Sequence, residues 1–363
     1  MGRLPSSRGI SLPTRVSSLA WTGHRTGRSL VFSLLGFGGS ALRIVAIAGG
    51  QPAPLAGVGE NGQAPSVSRH GYRLVYQRSV ADRNIWRIPG LNSDNRKPTP
   101  EKWIASTEDD QEPQFSPDGK RIAFTSARSG TSEVWMAASN GREVAQLTSL
   151  GGAIAGSPRW SPDSRWIAFD APKAGKTDIF VISAEGGAPR LLTSGTGNNI
   201  RPSWSSDGKG IYFGSNRGGE WEIWKAPVQG GDAVQVTKAG GYEGFESLDG
   251  KLVFYSKPKT PGIWSVPVEG GQETLVLEKP GTNEWAVARD GICFLDWKDA
   301  LHPVVQFYNL RNRRSTIVYE FPQGTNLHNT AGTTISISPD ERWILYTQLD
   351  QAGSNLVLVE NFR

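Results

Sequence analysis

The sequence predicts an all-β fold: a β-propeller of four-stranded antiparallel blades, seven or eight in number. Three observations predict it. The turn SPDG at Ser116 to Gly119 returns as SPDS at Ser161, SSDG at Ser205 and SPDE at Ser338. Counted on its Asp, the slot recurs at Asp118, Asp163, Asp207, Asp249, Asp290 and Asp340, at spacings of 45, 44, 42, 41 and 50 residues. Each slot is followed by a short apolar run, and a period of about 40–45 residues is that of a propeller blade.

Two degenerate copies precede these six. His70 fills the slot 48 residues before Asp118, and His24 lies 46 residues before that, so the chain holds eight copies. Within each copy the elements can be justified in order. Strand A ends on an apolar or aromatic residue three before the slot, as at Phe115, Trp160 and Trp204, with Glu246 the exception. SPDG is the A–B turn: Pro presets φ, Asp bonds a nearby N–H, and Gly takes the positive φ. Strand B follows as RLVYQ, RIAFTS, WIAFD, GIYFGS, KLVFYS, GICFLD and WILYT. These runs are apolar on both faces and need cover on both sides. Strand C carries an aromatic, as at Trp86, Trp135, Phe180, Trp224 and Trp264. A Gly pair or Asn-Gly makes the C–D hairpin. Strand D closes on Thr148, Thr193 or Thr237.

The ends fit less well. SLAWT, SLVFS, ALRIVAI and QPAPLAG read as strands A to D of the first copy, in preference to a signal peptide. Residues 1–16 are expected to be a leader or a closing strand, and 17–363 the propeller. The last copy stops after a strand C at NLVLVENFR, so its blade needs a strand from elsewhere. Either eight blades close with a weak seam, or seven close and the first copy is left over.

The net charge of +5 is misleading. Residues 1–59 hold six Arg and no acid, which leaves 33 cations against 34 anions in the rest of the chain. The body is nearly neutral, so charge gives no case for nucleic acid. The single cysteine, Cys293, excludes an internal disulfide and a cysteine-cluster zinc site.

The pattern W-S-P-D-G-K-x-I-A-F, the aromatic strand C, G-G and L-T is similar to the TolB-like, WD-type propeller repeats of bacteria. The likeness covers roughly residues 17–360 and is best over 112–238. The ending ISPDERWILYTQLDQAGSNLVLVENFR also resembles the C-terminal propeller of winged-helix bacterial regulators. The resemblance implies an envelope or sensory setting, with a periplasmic or other extracytoplasmic location ahead of a cytoplasmic one.

Catalytic and metal motifs are weak. Each repeated Asp stands alone in its turn, whereas a calcium loop needs several oxygen ligands within about a dozen residues. GVGENG at Gly57 to Gly62 lies in a loop between copies and not in a βαβ unit. There is no G-x-S-x-G, and His24, His70, His302 and His328 form no zinc-type pair. No catalytic residue, metal or cofactor is expected.

One feature is functional in character. The B–C loops carry Arg78, Arg83, Arg128, Lys173, Lys176, Arg217, Lys257, Lys259 and Lys298. In a propeller these loops share a face with the D–A loops, so they would form a positive ring around the channel mouth. The bland alternative is pairing within each blade: Arg128 with Glu133, Lys176 with Asp178 and Arg217 with Glu222. The expected function is non-catalytic: a monomeric scaffold that binds a protein or peptide, acidic if the ring is the contact. The alternatives are a propeller hydrolase or lyase using channel-lining residues, and the sensor part of a regulator.

Overall fold

The structure is a computed structural model that describes every residue except 1–20, 24–27, 37–38, 59–61, 69–71, 95–98, 152–153, 280–283, 300, 328–334 and 363. The leader at 1–16, His24, His70, His328 and part of GVGENG therefore lie outside the described residues. The chain forms two compact units, Met1–Ala81 with Gln351–Arg363, and Asp82–Asp350.

The first unit contains a complete four-stranded sheet of β1 (Trp21–Gly23), β2 (Ser29–Gly36), β3 (Gly39–Ala46) and β4 (Ala53–Pro54). These are the strands expected for the first copy. Next come β5 (Gly62–Val67) and the 16-residue β6 (Leu74–Pro89), whose residues are shared between the two units. β7 (Glu101–Ile104) pairs with the second half of β6.

Five intact blades follow in the second unit. They are β8 (Asp110–Phe115), β9 (Arg121–Ser126), β10 (Glu133–Ala138) and β11 (Ala145–Gln146); β12 (Gly156–Trp160), β13 (Trp166–Lys173), β14 (Lys176–Ser183) and β15 (Arg190–Leu191); and β16 (Asn199–Trp204), β17 (Gly210–Ser215), β18 (Glu222–Pro227) and β19 (Val234–Gln235). Then come β20 (Glu243–Glu246), β21 (Leu252–Ser256), β22 (Ile263–Pro267) and β23 (Thr274–Leu277), and β24 (Trp285–Ala288), β25 (Gly291–Trp297), β26 (Pro303–Asn309) and β27 (Arg314–Glu320). The sixth blade is composite. β28 (Ile335–Ile337) and the first part of the 17-residue β29 (Trp343–Val359) supply strands A and B, while β6 and β7 supply C and D.

The four-stranded antiparallel blades are as the sequence predicts, but their number in the ring is six, not seven or eight. Copies two and eight account for the difference. Their strands B and C do not turn back but run on as β6 and β29, which pair with each other. In copy two the reason is local: SVADRN, residues 79–84, has no Gly or Pro to make a turn. Four of the five intact blades turn at the Gly-bearing SGT, KAGK, NRGG and KPKTPG, and the fifth turns between Trp297 and Pro303, where Asp299 accepts the Leu301 N–H.

The strand-B runs form the core between blades. Ile122 and Phe124 pack with Ile85 and Leu345, Ile167 and Phe169 with Val134, and Ile211 and Phe213 with Ile179. Side chains of this size contribute roughly 2–3 kcal/mol each when fully buried. Neighbouring A strands meet around the ring, β8 beside β12, β12 beside β16, β16 beside β20, β24 beside β28 and β28 beside β8. Phe245 of β20 meets Trp285 of β24 edge to face at 4.9 Å, which completes the circle.

The repeated turn is a structural device. In five turns the Ser hydroxyl donates to the Asp two residues on: Ser116 to Asp118, Ser161 to Asp163, Ser205 to Asp207, Ser247 to Asp249 and Ser338 to Asp340, at 2.5–2.7 Å. The same Asp accepts an N–H two residues further along, from Lys120, Arg165, Lys209, Lys251 or Arg342. These bonds favour the ionised form, so all five carboxyls are held below the usual range.

Candidate functional site

The A strands line the channel of the second unit. Three of them carry a bulge at an x-Pro step. Glu112, Ser157 and Arg201 have φ of 56°, 51° and 55°, each just before a Pro, and the pairing register shifts at each. The bulge frees a backbone N–H for a side chain of the neighbouring blade. Glu112 N donates to Thr347 Oγ1 at 3.3 Å, Ser157 N to Glu112 Oε2 at 2.6 Å, and Arg201 N to Asp170 Oδ2 at 2.7 Å.

A buried charge layer results. Arg159 Nη2 lies 3.3 Å and Arg201 Nη1 3.6 Å from Glu243 Oε1. Glu112 and Asp170 complete a group of three carboxylates and two guanidinium groups. Burial pushes the carboxyls of Glu112 and Asp170 up, and the nearby Asp170 charge raises Glu112 further. The sequence analysis missed this layer. Part of its signal is the position six before the turn Asp, which reads Glu112, Arg201 and Glu243 in three of the blades, while Arg159 and Asp170 lie outside that position. Burial also pushes Glu284 up to about 7, with Asp296 contributing.

The B–C cations do not form one open ring. Arg78 is exposed within β6 in the first unit, so it is not a loop residue of the ring. Arg83 is also in β6 and pairs with Asp109 at 2.9 Å. Arg128 makes a two-pronged contact with the buried Asp110 at 2.7 and 3.1 Å. Arg217 binds Asn199 and lies over the Trp224 ring at 4.6 Å. Lys257 is buried, 3.1 Å from Glu273 and 3.8 Å over Trp264. Lys298 pairs with Glu320 and Lys259 with Glu220. Lys173 and Lys176 are exposed at the tip of the β13–β14 hairpin, where Lys176 Nζ donates to Gly195 O. His302, in the loop after β25, bonds Asp299 at 2.7 Å.

The three pairings expected within blades are not the ones formed. Glu133, Asp178 and Glu222 instead accept from Thr148, Thr193 and Thr237 at 2.6, 2.9 and 2.6 Å. Each Thr hydroxyl also accepts the N–H of the residue after its acid, which locks strand D onto strand C. The acid that opens strand C and the L-T that closes strand D are one latch.

At the A–B end the channel opens into a cavity of about 420 Å³. All six A strands reach it. Phe115, Trp160, Trp204, Phe245 and Trp285 give it aromatic walls, and Arg159 lines it from the charge layer. Trp160 Nε1 and Trp204 Nε1 donate to the carbonyls of Gln114 and Arg159 on the preceding blades, which fixes the two rings. Leu248, 66% exposed, stands in the A–B turn where the neighbouring lining turns place Pro117 and Pro162. The opening thus lies on the face opposite the basic loops.

Residues 149–295 match the family model for the TolB beta propeller domain. That stretch resembles TolB-type propeller repeats. The match runs from the second intact blade into the fifth. Among solved structures, a protein assigned as TolB from Agrobacterium tumefaciens is similar at 20% identity and a TM-score of 0.60, over 75% of this chain and 99% of that one. TolB from Acinetobacter baumannii is similar at 16% identity and 0.53, over 81% and 80%. A chain of a nidogen–laminin complex is similar at 12% and 0.52, over 74% and 99%. At these identities the likeness is one of fold. No curated protein matches the sequence.

Proposed function

We propose that this TolB-like propeller is a non-catalytic binding module that takes a segment of a protein partner into the A–B end cavity. The observation that supports the reading is the cavity itself. It is open to solvent at one end, walled by five aromatic residues, and built by strands from all six blades. Concave, mostly apolar sites with a few fixed polar groups are the usual form of a ligand site. The channel carboxylates favour binding over chemistry, because Glu243 is tied to Arg159 and Arg201 and Glu112 to Ser157. No group of three His, Cys, Asp or Glu among the described residues is placed to hold a metal.

The basic loop face is the weaker contact in this reading, since Arg83, Arg128, Arg217, Lys257, Lys259 and Lys298 are already engaged by partners in this chain. Lys173, Lys176, Lys259 and Lys298 are the exposed cations there, and of these Lys259 and Lys298 pair with Glu220 and Glu320. The setting we infer is extracytoplasmic, as the family resemblance implies, with a sensory or envelope role. No helix among the described residues is long and apolar enough to cross a membrane.

The reading is tested by peptide capture from a display library. Leu248→Asp and Ser206→Trp change two exposed residues at the mouth. Each should weaken capture at least tenfold at unchanged thermal stability. Unchanged capture by both would refute the cavity as the contact. Loss on Lys173→Glu with Lys176→Glu, with no loss at the mouth, would return the contact to the basic loops.

A further inference from the structure

The A–B face is strongly basic in one sector. The β26–β27 hairpin reads Leu310-Arg311-Asn312-Arg313-Arg314. It lies against the A–B turn of its own blade, where Leu310 N donates to Asp290 O at 3.0 Å, and Arg289 stands just before that Asp. Arg289, Arg311, Arg313 and Arg314 are all exposed. None of their guanidinium groups makes an ion pair or a hydrogen bond among the described residues. Glu341 reaches the backbone N–H of Arg289 at 2.7 Å, not its side chain. The other four intact blades each carry an acid at this hairpin: Glu143, Glu185, Asp232 and Glu269.

The hairpin is built against its own backbone preference. Arg313 has a φ of 56°, in the left-handed region, where the other four hairpins place Gly141, Gly186, Gly230 and Gly270. A side chain other than Asn or Asp is disfavoured there relative to Gly. The turn around it is fixed. Asn309 Oδ1 accepts from Arg311 N and Asn312 N, and Asn312 Oδ1 from Arg314 N, each at 3.0 Å. Asn309 O accepts from Arg313 N at 2.8 Å. Like charges gathered on a fixed backbone repel one another. Such a cluster adds repulsion to the fold, not stability, and an anion placed among the four would relieve it.

We infer that these arginines bind an acidic stretch of the same partner segment whose apolar part enters the cavity. The inference rests on the cavity reading above and adds the chemistry of the partner. Blade geometry links the two places. Ala286 and Val287 of β24 line the cavity. Next to them Ala288 pairs with Gly291, Gly291 with Asn309, and Asn309 with Arg314. Three strand spacings, roughly 14 Å, thus separate the cavity wall from the outermost Arg. An extended chain covers that in about five residues. The partner segment therefore carries Asp or Glu within about five residues of its apolar anchor, and the planar guanidinium fork suits carboxylates. The acidic partner expected at the B–C loops is held instead on the opposite face.

Fluorescence anisotropy on the whole chain tests it with a labelled decaglutamate peptide, against a neutral Gly-Ser decapeptide. Decaglutamate should bind and the neutral peptide should not, with affinity falling as salt rises. Arg311→Gln, Arg313→Asn and Arg314→Gln together should weaken binding about tenfold, as three exposed charge pairs would. The same variant should melt no lower than the unaltered chain, because Asn suits the left-handed position. Lys173→Glu with Lys176→Glu, on the opposite face, should not weaken it. The second measurement needs no variant to fold: display peptides captured by the unaltered chain should be enriched in Asp and Glu beside an apolar residue. Decaglutamate that fails to bind at about 1 mM, or binds the triple variant equally well, overturns the inference. Peptides that depend on the cavity mouth but lack acidic residues overturn it and leave the cavity reading standing. Decaglutamate binding that needs the arginines, with no capture at the mouth, sinks the cavity reading and with it the shared segment. Arginine-dependent binding to phosphatidylglycerol vesicles without decaglutamate binding overturns it in favour of a lipid surface.

Discussion

The blade β12–β15 and the composite blade β28–β29–β6–β7 have the same strand order and are held by different means. In the first, a local hairpin joins each pair of strands, and the Asp178–Thr193 latch fastens the last one. In the second, strands from opposite ends of the chain meet, and no hairpin joins β29 to β6. Side chains take over. Asp350 accepts from Asn84 Nδ2 at 2.8 Å and Trp86 Nε1 at 3.0 Å, and lies 2.7 Å from Lys102 Nζ. Arg87 sits between the rings of Trp103 and Trp343, 3.4 and 3.8 Å from their centroids. Strand pairs close in sequence need turns, while pairs distant in sequence need clamps, because their loop-closure entropy is larger.

The largest expected effect therefore belongs to Asp350→Ala. It strips one acceptor from donors on two other strands and leaves the buried Asn84 amide without it. A loss of about 3 kcal/mol is expected, which a denaturant midpoint would register. If the closure is a separate weak point, hydrogen exchange in Asn84 to Ile88 should accelerate more than in Ile167 to Ala171. Equal acceleration in both would show that the ring opens as one unit.

This contrast also explains what was legible in the sequence. The intact blades announce themselves, because Ser-Pro-Asp-Gly, the apolar run and Gly-Gly are all local signals. The composite blade has no such signal. WILYT and NIW each look like ordinary strands B and C, and only the missing turn at SVADRN hints that copy two runs on. For that reason the repeat predicts more blades than the ring of the second unit contains. The candidate site was harder still. Cations in loops are visible in a sequence, but their partners are not: Arg128 reaches Asp110, eighteen residues back, and not the nearby Glu133. The channel layer depends on a bulge that directs Glu112, Ser157 and Arg201 toward neighbouring blades, which a period-two pattern conceals.

The latch gives the intact-blade counterpart to the first prediction. Asp178→Ala removes the acceptor of Thr193 and of Asn199, both buried. About 2 kcal/mol should be lost, less than at Asp350, because the β14–β15 hairpin still holds the strands together. A loss as large as that at Asp350 would mean that latch and clamp matter equally and that the turn contributes little.

Glu284 separates the two regions by pH. Its carboxyl, pushed up to about 7 by burial and by Asp296, belongs to an intact blade. An acid with a raised folded pKa favours the folded state below its unfolded value of about 4.3 and loses that contribution as pH rises through 7. Glu284→Gln should therefore stabilise the protein at pH 8 by about 1 kcal/mol, a figure reduced for its partial exposure to solvent. The gain should shrink steadily toward pH 5. A gain that does not vary with pH would mean that Glu284 keeps an ordinary pKa in the folded chain.

The smallest effect is expected where the two regions are most alike. Asp163 closes the A–B turn of an intact blade and Asp340 that of the composite blade, with the same Ser and the same N–H partner position. Both carboxyls are held below the usual range, first by the Ser hydroxyl. Their contribution is present above the unfolded pKa of about 3.9 and disappears as pH falls through the folded value. Asp163→Asn and Asp340→Asn should each cost about 0.5 kcal/mol at pH 7, since both groups are largely solvated, and nothing measurable at pH 2. The two costs should agree within error. If Asp340 costs much more, its turn is part of the closure, because Asn92 Nδ2 donates to the Asp340 carbonyl at 3.2 Å from the other end of the chain.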